Sequence, residues 1–329
     1  MTARVTILEA LHRDGVARMG RFARVEVRLG LDREATLRAV ADSDVIVVRS
    51  TTRVDRGLFD AAPRLAVVAR AGTGVENIDL EEAACRGIKV VTTPTGNTVS
   101  AAEFTIGQML NLCRKIPAAQ AAVGAGDFRR HLYEGRELGA LSVGLVGLGN
   151  VGMAVARRLR PFGCRLVGWD PEPPLADEFA RLGGELMPGY EALIPEVDIL
   201  SFHVRLTPET RGMLNARALA LAKDGLLVVN TARGAVVDPN ALLEALSTGR
   251  VAAAALDVLD PEPPFDALPG EHDFTSPLLG HPRILNTPHM GASTEDAQRR
   301  IALDLAAQVE AALSAPAGAP RVRGVATSG

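Results

Sequence analysis

Apolar and polar positions follow two alternating patterns along this chain. Short apolar runs, bounded by Gly, Pro, Asn or Asp, recur from the first residues to about residue 288. Between many of these runs, apolar residues recur every three or four positions, which is typical of amphipathic helices. Strands that alternate with helices predict parallel sheets with helices on both faces. The sequence therefore predicts an α/β protein built from doubly wound parallel sheets.

The first part of the chain, up to residue 96, shows this alternation without a phosphate-binding glycine turn. Its predicted strands are Val5 to Leu8, Val25 to Leu29, Asp44 to Ser50, Leu65 to Ala71 and Lys89 to Thr93. Its predicted helices are Leu31 to Ala41, Asp55 to Ala61 and Asp79 to Arg86. Thr95-Gly96-Asn97 then precedes a long helical pattern, Val99 to Cys113, and marks a predicted crossing between domains.

The alternation resumes after a charged segment, Gly124 to Gly139, which is predicted to be a surface loop, with a subunit contact as the alternative. The predicted strands that follow are Leu141 to Leu148, Arg165 to Trp169, Asp198 to His203, Gly225 to Thr231, Ala252 to Val258 and Arg283 to Pro288. The predicted helices are the segment that starts at Val151 and ends near Pro161-Phe162-Gly163, and the segments Asn215 to Ala222, Pro239 to Leu246 and Gly291 to Leu313. Residues 314–329 are small and polar and are predicted to form a disordered tail.

One stretch combines a strand, a glycine turn, a helix, a second strand and an acid. Gly147-Leu148-Gly149-Asn150-Val151-Gly152 has the spacing G-x-G-x-x-G, and the next predicted strand ends at Asp170. This order is that of the dinucleotide-binding βαβ unit. Gly147 would allow the tight turn, Gly149 the close approach of a pyrophosphate, and Gly152 the close packing of the helix. The N-terminus of that helix would offer N–H groups and a partial positive charge to the phosphates.

The acid at the end of the second strand predicts which dinucleotide is bound. The carboxylate of Asp170 would accept hydrogen bonds from the ribose hydroxyls and would repel a 2′-phosphate. The next residues, Pro171-Glu172-Pro173, include no Arg that would receive such a phosphate. The sequence therefore predicts NAD rather than NADP. The alternative is an ordinary glycine turn in another kind of α/β sheet.

Composition and charge narrow the class of protein. The chain has 329 residues, enough for two domains, and its net charge of −3 gives no indication of nucleic-acid binding. The three cysteines, Cys85, Cys113 and Cys164, have no metal-ligand spacing and are predicted to be reduced and mostly buried, as in a cytoplasmic protein. The first residues carry charges where a signal peptide needs an apolar core, and no apolar run suggests a membrane span.

Three polar residues follow predicted strands in the second part of the chain. Arg233 comes after one buried run, Glu262 lies in a proline-rich loop after the next, and His289 follows the last extended segment. Carboxyl ends of parallel strands converge on one crevice, so these side chains are expected to meet there. Taken singly, each is more often a surface ion pair, a solvated acid or a structural histidine.

Together, these three residues suit the reduction of a 2-keto acid. Arg233 would hold the carboxylate and carbonyl with its forked donors, and His289 would give or take the proton. Glu262 would orient the imidazole and stabilise its protonated form. NADH would supply the hydride, and this chemistry requires no metal.

Two loops in the first part are candidate anion sites. Arg49 ends one predicted strand, where an arginine can hold an anion. Arg70 to Asp79 follows another strand, and its Gly72 and Gly74 would leave backbone N–H groups facing an oxyanion. The alternative for these glycines is an ordinary turn.

From about residue 44 to 313, the chain resembles the D-isomer-specific 2-hydroxy acid dehydrogenases, most closely the short D-3-phosphoglycerate dehydrogenase branch without a regulatory domain. The matching stretches are VIVVRSTTRVD, ARAGTGVENIDLEEAACRGIKVVTTPTGNTVSAAEFTIG, GLVGLGNVG, NTARGAVVD, AALDVLDPEPP and NTPHMGAS. The resemblance implies an NAD-binding Rossmann domain, residues 97–289, inserted into a flavodoxin-like substrate domain, residues 1–96 and 290–313. It also implies a homodimer formed through the nucleotide-binding domain.

The resemblance implies a role for particular residues. Arg233, Glu262 and His289 would form the catalytic set, and substrate contacts would fall at Arg49, Ala71, Gly72, Thr73, Asn97 and Arg233. Cofactor contacts would fall at Gly147, Gly149, Asn150, Val151, Gly152, Asp170, Val204, Thr231, Ala232, Arg233, Asp257, His289, Gly291 and Ala292. One departure is His203-Val204-Arg205-Leu206-Thr207, where the family often has His-Thr-Pro-Leu-Thr, so Val204 is expected to contact the cofactor only through its backbone or by packing.

The function expected from residues and resemblance is that of an NAD-dependent D-2-hydroxy acid dehydrogenase. 3-Phosphoglycerate is the first substrate considered. The alternatives are a glyoxylate or hydroxypyruvate reductase, and an NAD-binding scaffold of the corepressor type. The sequence does not specify the side chain of the hydroxy acid or whether it carries a phosphate.

Overall fold

The computed structural model describes residues 2–173, 175–264, 267–268 and 270–314, and it divides into two compact units. Unit 1 runs to Asn97 and resumes at Ser293, and unit 2 spans Thr98–Ala292. Most of the predicted disordered tail, from residue 315, lies outside the described residues. Within the described part of the chain, no helix has the length and apolar character needed to cross a membrane.

The elements are numbered in chain order. The strands are β1 Arg4–Ile7, β2 Arg24–Val27, β3 Val45–Val48, β4 Val67–Arg70, β5 Lys89–Thr92, β6 Ser142–Val146, β7 Arg165–Trp169, β8 Glu185–Leu186, β9 Ile199–Phe202, β10 Leu226–Asn230, β11 Val251–Leu256 and β12 Ile284–Asn286. The helices are α1 Arg13–Met19, α2 Arg33–Ala39, α3 Arg56–Ala61, α4 Leu80–Cys85, α5 Thr98–Arg114, α6 Ile116–Gly124, α7 Asn150–Leu159, α8 Ala176–Arg181, α9 Tyr190–Leu193, α10 Ala216–Ala220, α11 Pro239–Thr248 and α12 Glu295–Ser314.

Unit 1 contains a parallel sheet with the strand order β2-β1-β3-β4-β5. This is the flavodoxin-like order, which confirms the fold predicted for the substrate domain. Alternate residues of β3 point to opposite faces, so Val45 and Val47 lie in one core cluster while Ile46 and Val48 lie in another. The sheet is therefore buried on both faces, which explains why its strands are continuous apolar runs.

Helix α12 belongs to unit 1 and packs against α1. A side chain at Gly15 would place its Cβ 2.5 Å from the Cβ of Ala302, so glycine is needed for this close approach. The prediction that this helix begins at Gly291 was wrong, because it begins at Glu295. The hydroxyl of Thr294 accepts a hydrogen bond from the N–H of Ala297 at 3.1 Å and caps the helix there.

Unit 2 contains a parallel sheet with the order β12-β11-β10-β9-β6-β7-β8. The chain order reverses between β6 and β9, which is the topological switch point of a Rossmann fold. Two large apolar clusters cover the two faces of this sheet. The predicted Rossmann domain is therefore confirmed, and its carboxyl edge is where a dinucleotide is expected.

Several short elements were not predicted, namely α1, α6, α8, α9 and β8. The predicted loop Gly124 to Gly139 contains two short 3₁₀ turns, at Arg130–Tyr133 and Leu138–Ala140. Of the three cysteines, Cys113 and Cys164 are buried and Cys85 is exposed, and all three are free thiols.

Candidate active site

The glycine turn after β6 has the geometry that its spacing predicts. Gly147 adopts φ = 96°, a left-handed conformation that favours glycine. A side chain at Gly152 would place its Cβ 2.0 Å from the carbonyl oxygen of Gly147, so the helix can pack on the turn only without one. A side chain at Gly149 would meet no atom within 4 Å. The space in front of Gly149 is therefore open to a ligand.

Helix α7 starts in this turn with unfilled backbone donors. Its N-cap residue is Gly149, which has no side-chain oxygen to accept hydrogen bonds from the first N–H groups. The first N–H groups of a helix have no partner inside the helix, and they carry the positive end of its dipole. The helix therefore has free N–H groups at its start, and the space in front of Gly149 is open. These two features suit the binding of a dinucleotide pyrophosphate.

Asp170 connects the end of β7 to the glycine turn. Its Oδ2 accepts a hydrogen bond from the N–H of Leu148 at 2.7 Å, and its Oδ1 accepts one from the N–H of Glu172 at 3.0 Å. The carboxylate therefore lies beside the glycine turn, on the strand next to β6, where the ribose acid of a dinucleotide site is expected.

A histidine that was not assigned a role lies beneath the turn. His203 follows β9, its Nε2 is 3.0 Å from the hydroxyl of Ser201, and its Nδ1 is buried without a hydrogen-bond partner. Burial lowers the pKa of His203 to about 4, so the ring is neutral at physiological pH. A side chain at Gly147 would lie 2.8 Å from the backbone oxygen of His203. The glycine turn therefore rests directly on this residue.

Arg233 ends a short turn after β10 that is built by a buried asparagine. Asn230 is fully buried, and its side chain accepts from the N–H of Ala232 at 3.0 Å and donates to the carbonyl oxygen of Arg233 at 2.9 Å. The Arg233 guanidinium donates to the carbonyl oxygen of Ala232 at 2.7 Å. Asn230 thus fixes both ends of the turn that presents Arg233.

The Arg233 turn lies against the loop that carries Glu262. A side chain at Gly234 would place its Cβ 2.1 Å from the carbonyl carbon of Leu259, so the two backbones touch at this point. Glu262 in turn contacts His289, with 2.9 Å between its Oε2 and the imidazole Nδ1. The structure therefore brings together loops from the carboxyl ends of β10, β11 and β12, in the manner that the parallel topology predicts.

His289 has an unusual backbone that a buried carboxylate supports. Its φ is 50°, which is rare for a residue other than glycine. Asp257 is 2% exposed, and its carboxylate accepts hydrogen bonds from the Thr287 hydroxyl at 2.6 Å and from the N–H groups of Met290 and Gly291 at 2.9 and 2.8 Å. Burial raises the pKa of Asp257 although these donors oppose the shift. Asp257 thus holds the loop on both sides of His289.

The other predicted cofactor residues are spread along the same edge of unit 2. Asn150 and Val151 begin α7, and Val204 follows β9 and packs on the core. The hydroxyl of Thr231 lies 2.8 Å from that of Thr105 on α5. Gly291 and Ala292 follow His289, and a side chain at Gly291 would lie 3.1 Å from the carboxylate of Asp257.

The predicted substrate residues, apart from Arg233, belong to unit 1. Arg49 follows β3, and Ala71, Gly72 and Thr73 follow β4. Gly72 adopts φ = 136°, and its N–H donates to the buried hydroxyl of Thr93 at 2.9 Å. The expectation that this N–H faces an oxyanion was therefore wrong. The guanidinium of Arg70 lies over Gly72, where a Cβ would be 1.9 Å from its Nη1. Asn97 is the last residue of the first segment of unit 1.

Comparison with known proteins assigns the chain to a family. Residues 106–291 match the model of the D-isomer specific 2-hydroxyacid dehydrogenase NAD-binding domain. The chain is also 39% identical over 310 residues to a D-3-phosphoglycerate dehydrogenase of Methanocaldococcus jannaschii, an alignment that covers 94% of this chain and 57% of that protein. The chain belongs to the D-isomer specific 2-hydroxyacid dehydrogenase family. It spans a little over half the length of that curated relative.

Solved structures of similar proteins agree with this family. A Thermus thermophilus protein superposes with a TM-score of 0.82 at 35% identity, covering 94% of this chain and 96% of that one. A D-lactate dehydrogenase from Treponema pallidum gives a TM-score of 0.81 at 26% identity, covering 96% and 98%. Because the matched family domain is the NAD-binding domain, the cofactor of unit 2 is NAD.

Two residues that shape the site were not predicted, namely Asn230 and His203. Asp257 was expected to contact the cofactor, and the structure shows its two oxygens bonded to the His289 loop. The sequence gives a weak signal for all three residues, since Asn230, His203 and Asp257 are polar residues at the ends of buried apolar runs. Their hydrogen bonds depend on the folded loops, which the sequence pattern does not specify.

Proposed function

We propose that this chain is an NAD-dependent oxidoreductase that interconverts a D-2-hydroxy acid and its 2-keto acid. The observation that carries the proposal is the 2.9 Å contact between Glu262 and His289, next to the turn that presents Arg233. An acid–imidazole pair beside an arginine provides a proton and a carboxylate contact at one edge of the sheet. The family supports the same reaction class.

The cofactor would be held by the open end of the glycine turn. Gly147, Gly149 and Gly152 with the first N–H groups of α7 would contact the pyrophosphate, and Asp170 would contact the ribose. Bound NADH supplies the hydride for the keto carbon. The carboxylate of Asp170 supports a preference for NAD over NADP, since it would repel a 2′-phosphate.

The chain's own residues would handle the proton and the substrate charge. Because Nδ1 of His289 contacts Glu262, the exchange of the proton with the substrate oxygen falls to Nε2. Glu262 orients the ring and stabilises its charged form. The forked donors of Arg233 would bind the carboxylate and the carbonyl oxygen, which becomes more negative during the reaction.

Substrate contacts are proposed for the loops of unit 1. Arg49, Ala71, Gly72, Thr73 and Asn97 would bind the carboxylate and the substituent of the acid. The matched relatives are named for different acids, D-3-phosphoglycerate and D-lactate. The higher identity to the phosphoglycerate enzyme makes 3-phosphoglycerate the first substrate to test.

A homodimer is proposed through unit 2. None of the residues of α6 is buried, although the helix is apolar, and Val123 and Phe128 are 54% and 75% exposed. An exposed apolar surface of this kind often marks a contact between subunits. A cytoplasmic location is proposed from the three free thiols, which suit a reducing compartment.

Oxidation of NADH against a panel of 2-keto acids tests the proposed function. The panel contains 3-phosphohydroxypyruvate, hydroxypyruvate, glyoxylate and pyruvate, and the products are analysed for chirality. We expect turnover with at least one acid and, where the product is chiral, a D-hydroxy acid. Tight NADH binding without turnover of any acid would contradict the enzyme proposal and favour a binding scaffold.

A further inference from the structure

A partly buried acid in unit 1 binds the backbone of the loop that carries Arg49. Glu9 follows β1, and its Oε1 accepts hydrogen bonds from the N–H groups of Arg49 at 2.8 Å and Thr52 at 2.9 Å. Its Oε2 accepts one from the N–H of Thr51 at 3.2 Å. Three backbone donors of one short loop therefore converge on a single carboxylate.

The carbonyl groups of the same loop are bound by a second side chain. The amide of Asn77 donates to the carbonyl oxygen of Arg49 at 3.0 Å and to that of Thr52 at 2.6 Å. At the first and last residues of the segment 49–52, Glu9 thus binds the backbone N–H groups and Asn77 binds the carbonyl oxygens. A loop fixed in this way presents its side chains in one arrangement.

Glu9 stays charged in this position. Burial alone would raise the pKa of its carboxyl, but the N–H groups of Arg49, Thr52 and Thr51 outweigh that effect, and the pKa lies below its usual value. Converging N–H groups can form a site for an external anion. Here the carboxylate of Glu9 already occupies them, so an acid substrate would have to be bound by side chains of the loop.

Arg49 is the cation that this loop presents. Its side chain is half-buried, and no hydrogen bond or ion pair joins its guanidinium to another residue in the described part of the chain. The loop lies at the carboxyl end of β3, the edge at which open α/β sheets bind ligands. A guanidinium without a partner at that edge is suited to an anionic ligand.

We propose that Glu9 is a positioning residue, which fixes the loop 49–52 so that Arg49 binds the carboxylate of the 2-keto acid. The inference rests on the proposed function, since it assigns Arg49 to the acid substrate. Glu9 does not touch the substrate in this account. Its effect is to remove alternative loop conformations, which would weaken binding of the acid.

Two variants separate the loop contacts. Glu9→Gln keeps an oxygen for Arg49 and Thr52 and replaces the one that accepts from Thr51, whereas Glu9→Leu removes all acceptors. Glu81→Gln is the matched control, because Glu81 is an exposed acid of the same unit in the first turn of α4. Thermal unfolding of each variant reports whether the fold is retained.

Binding and turnover are measured together on the full chain. Calorimetry gives the Kd of NADH and, on the NADH-loaded protein, the Kd of oxamate, an unreactive analogue of a 2-keto acid. We expect Glu9→Leu to raise both the oxamate Kd and the keto-acid KM about tenfold, and Glu9→Gln to raise them less. The Kd of NADH and kcat should stay within twofold, and Glu81→Gln should match the wild type.

Each outcome bears on one proposal or both. Normal oxamate Kd and KM in Glu9→Leu would overturn the role of Glu9 and leave the enzyme function intact. Oxamate binding that weakens in Glu9→Leu, in a protein that turns over no keto acid, would support Glu9 and overturn the function. A wild-type protein that neither binds oxamate nor turns over a keto acid would overturn both. Parallel losses in NADH affinity, kcat and thermal stability would show a role in folding only.

Discussion

Helix α7 of unit 2 differs at its N-terminus from three helices of unit 1, although both units are parallel α/β sheets. In unit 1, α2, α3 and α4 begin with Asp32, Asp55 and Asp79, each of which accepts a hydrogen bond from an N–H of its own first turn. In unit 2, α7 begins with Gly149, which accepts none. The same kind of strand-to-helix connection is thus closed by a carboxylate at these three helices, and at α11 of unit 2 by Asp238, but is left open at α7.

This comparison indicates that a single residue at the carboxyl edge decides whether the backbone donors there are available to a ligand. A side-chain carboxylate at an N-cap satisfies the donors and the dipole that a phosphate would otherwise meet. Glu9 does the same for the loop after β3. At these places in unit 1 the backbone N–H groups are therefore already bonded to a carboxylate, whereas the first turn of α7 leaves its N–H groups for a ligand.

A carboxylate introduced at the N-cap of α7 in unit 2 is the strongest test of this comparison. Gly149→Asp would place a carboxylate where unit 1 has one, and the site has space for it. We expect the Kd of NADH to rise about 1,000-fold, because the new charge repels the pyrophosphate and occupies its donors. The helix should be stabilised by about 0.5 kcal/mol, from the new cap and from the negative charge at the helix N-terminus. Calorimetry and thermal unfolding measure the two effects.

Gly189→Asp serves as the control for that variant. Gly189 is the N-cap of α9 in the same unit and also has open space around its Cβ position. Its substitution should leave the Kd of NADH within a few-fold of the wild type. An unchanged NADH Kd in Gly149→Asp would show that the cofactor does not use this helix end.

Acidification should affect the two units at different pH. His203 in unit 2 has a folded-state pKa of about 4, against 6.5 for an unperturbed histidine. Below pH 6.5 the unfolded chain therefore binds a proton that the folded one does not, and the free energy of unfolding falls until about pH 4. The loss is about 3 kcal/mol, at 1.36 kcal/mol for each pKa unit. Glu9 in unit 1, whose pKa is lowered from 4.5, retains its contribution to stability down to about pH 4.5 and loses it as the pH falls further.

Hydrogen exchange at several pH values measures this difference in each unit. Protection in unit 2 should fall between pH 6.5 and 4 more than protection in unit 1. In His203→Gln, whose new side chain does not titrate, protection in unit 2 should depend on pH much less over this range. If protection in the variant falls with pH as steeply as in the wild type, the acid sensitivity of unit 2 comes from other groups.

Much of the fold could be predicted from the sequence, because buried strands of a parallel sheet are continuous apolar runs. The residues of β3 are all buried, and the predicted run Asp44 to Ser50 contains the strand. Short elements and elements without a buried face were missed. None of the residues of α6 is buried, and β8 has only two residues, so neither leaves a periodic signal.

The residues of the site could be predicted where the strand order alone determines their position. Arg233, Glu262 and His289 each follow a strand, and parallel strands direct their ends to one edge. The supporting residues Asn230 and Glu9 were not predictable, because their hydrogen bonds run to backbone groups of folded loops. The left-handed conformation of His289 also has no signal in the sequence.

A comparison of His289→Asn with the wild type tests the central claim, that His289 exchanges the substrate proton while the glycine turn and Asp170 supply most of the cofactor's binding. Asparagine tolerates the left-handed backbone of this position, so the loop should persist. We predict that kcat for the best keto acid falls about 1,000-fold while the Kd of NADH stays within twofold. Near-normal kcat in this variant, with NADH still bound, would contradict the account.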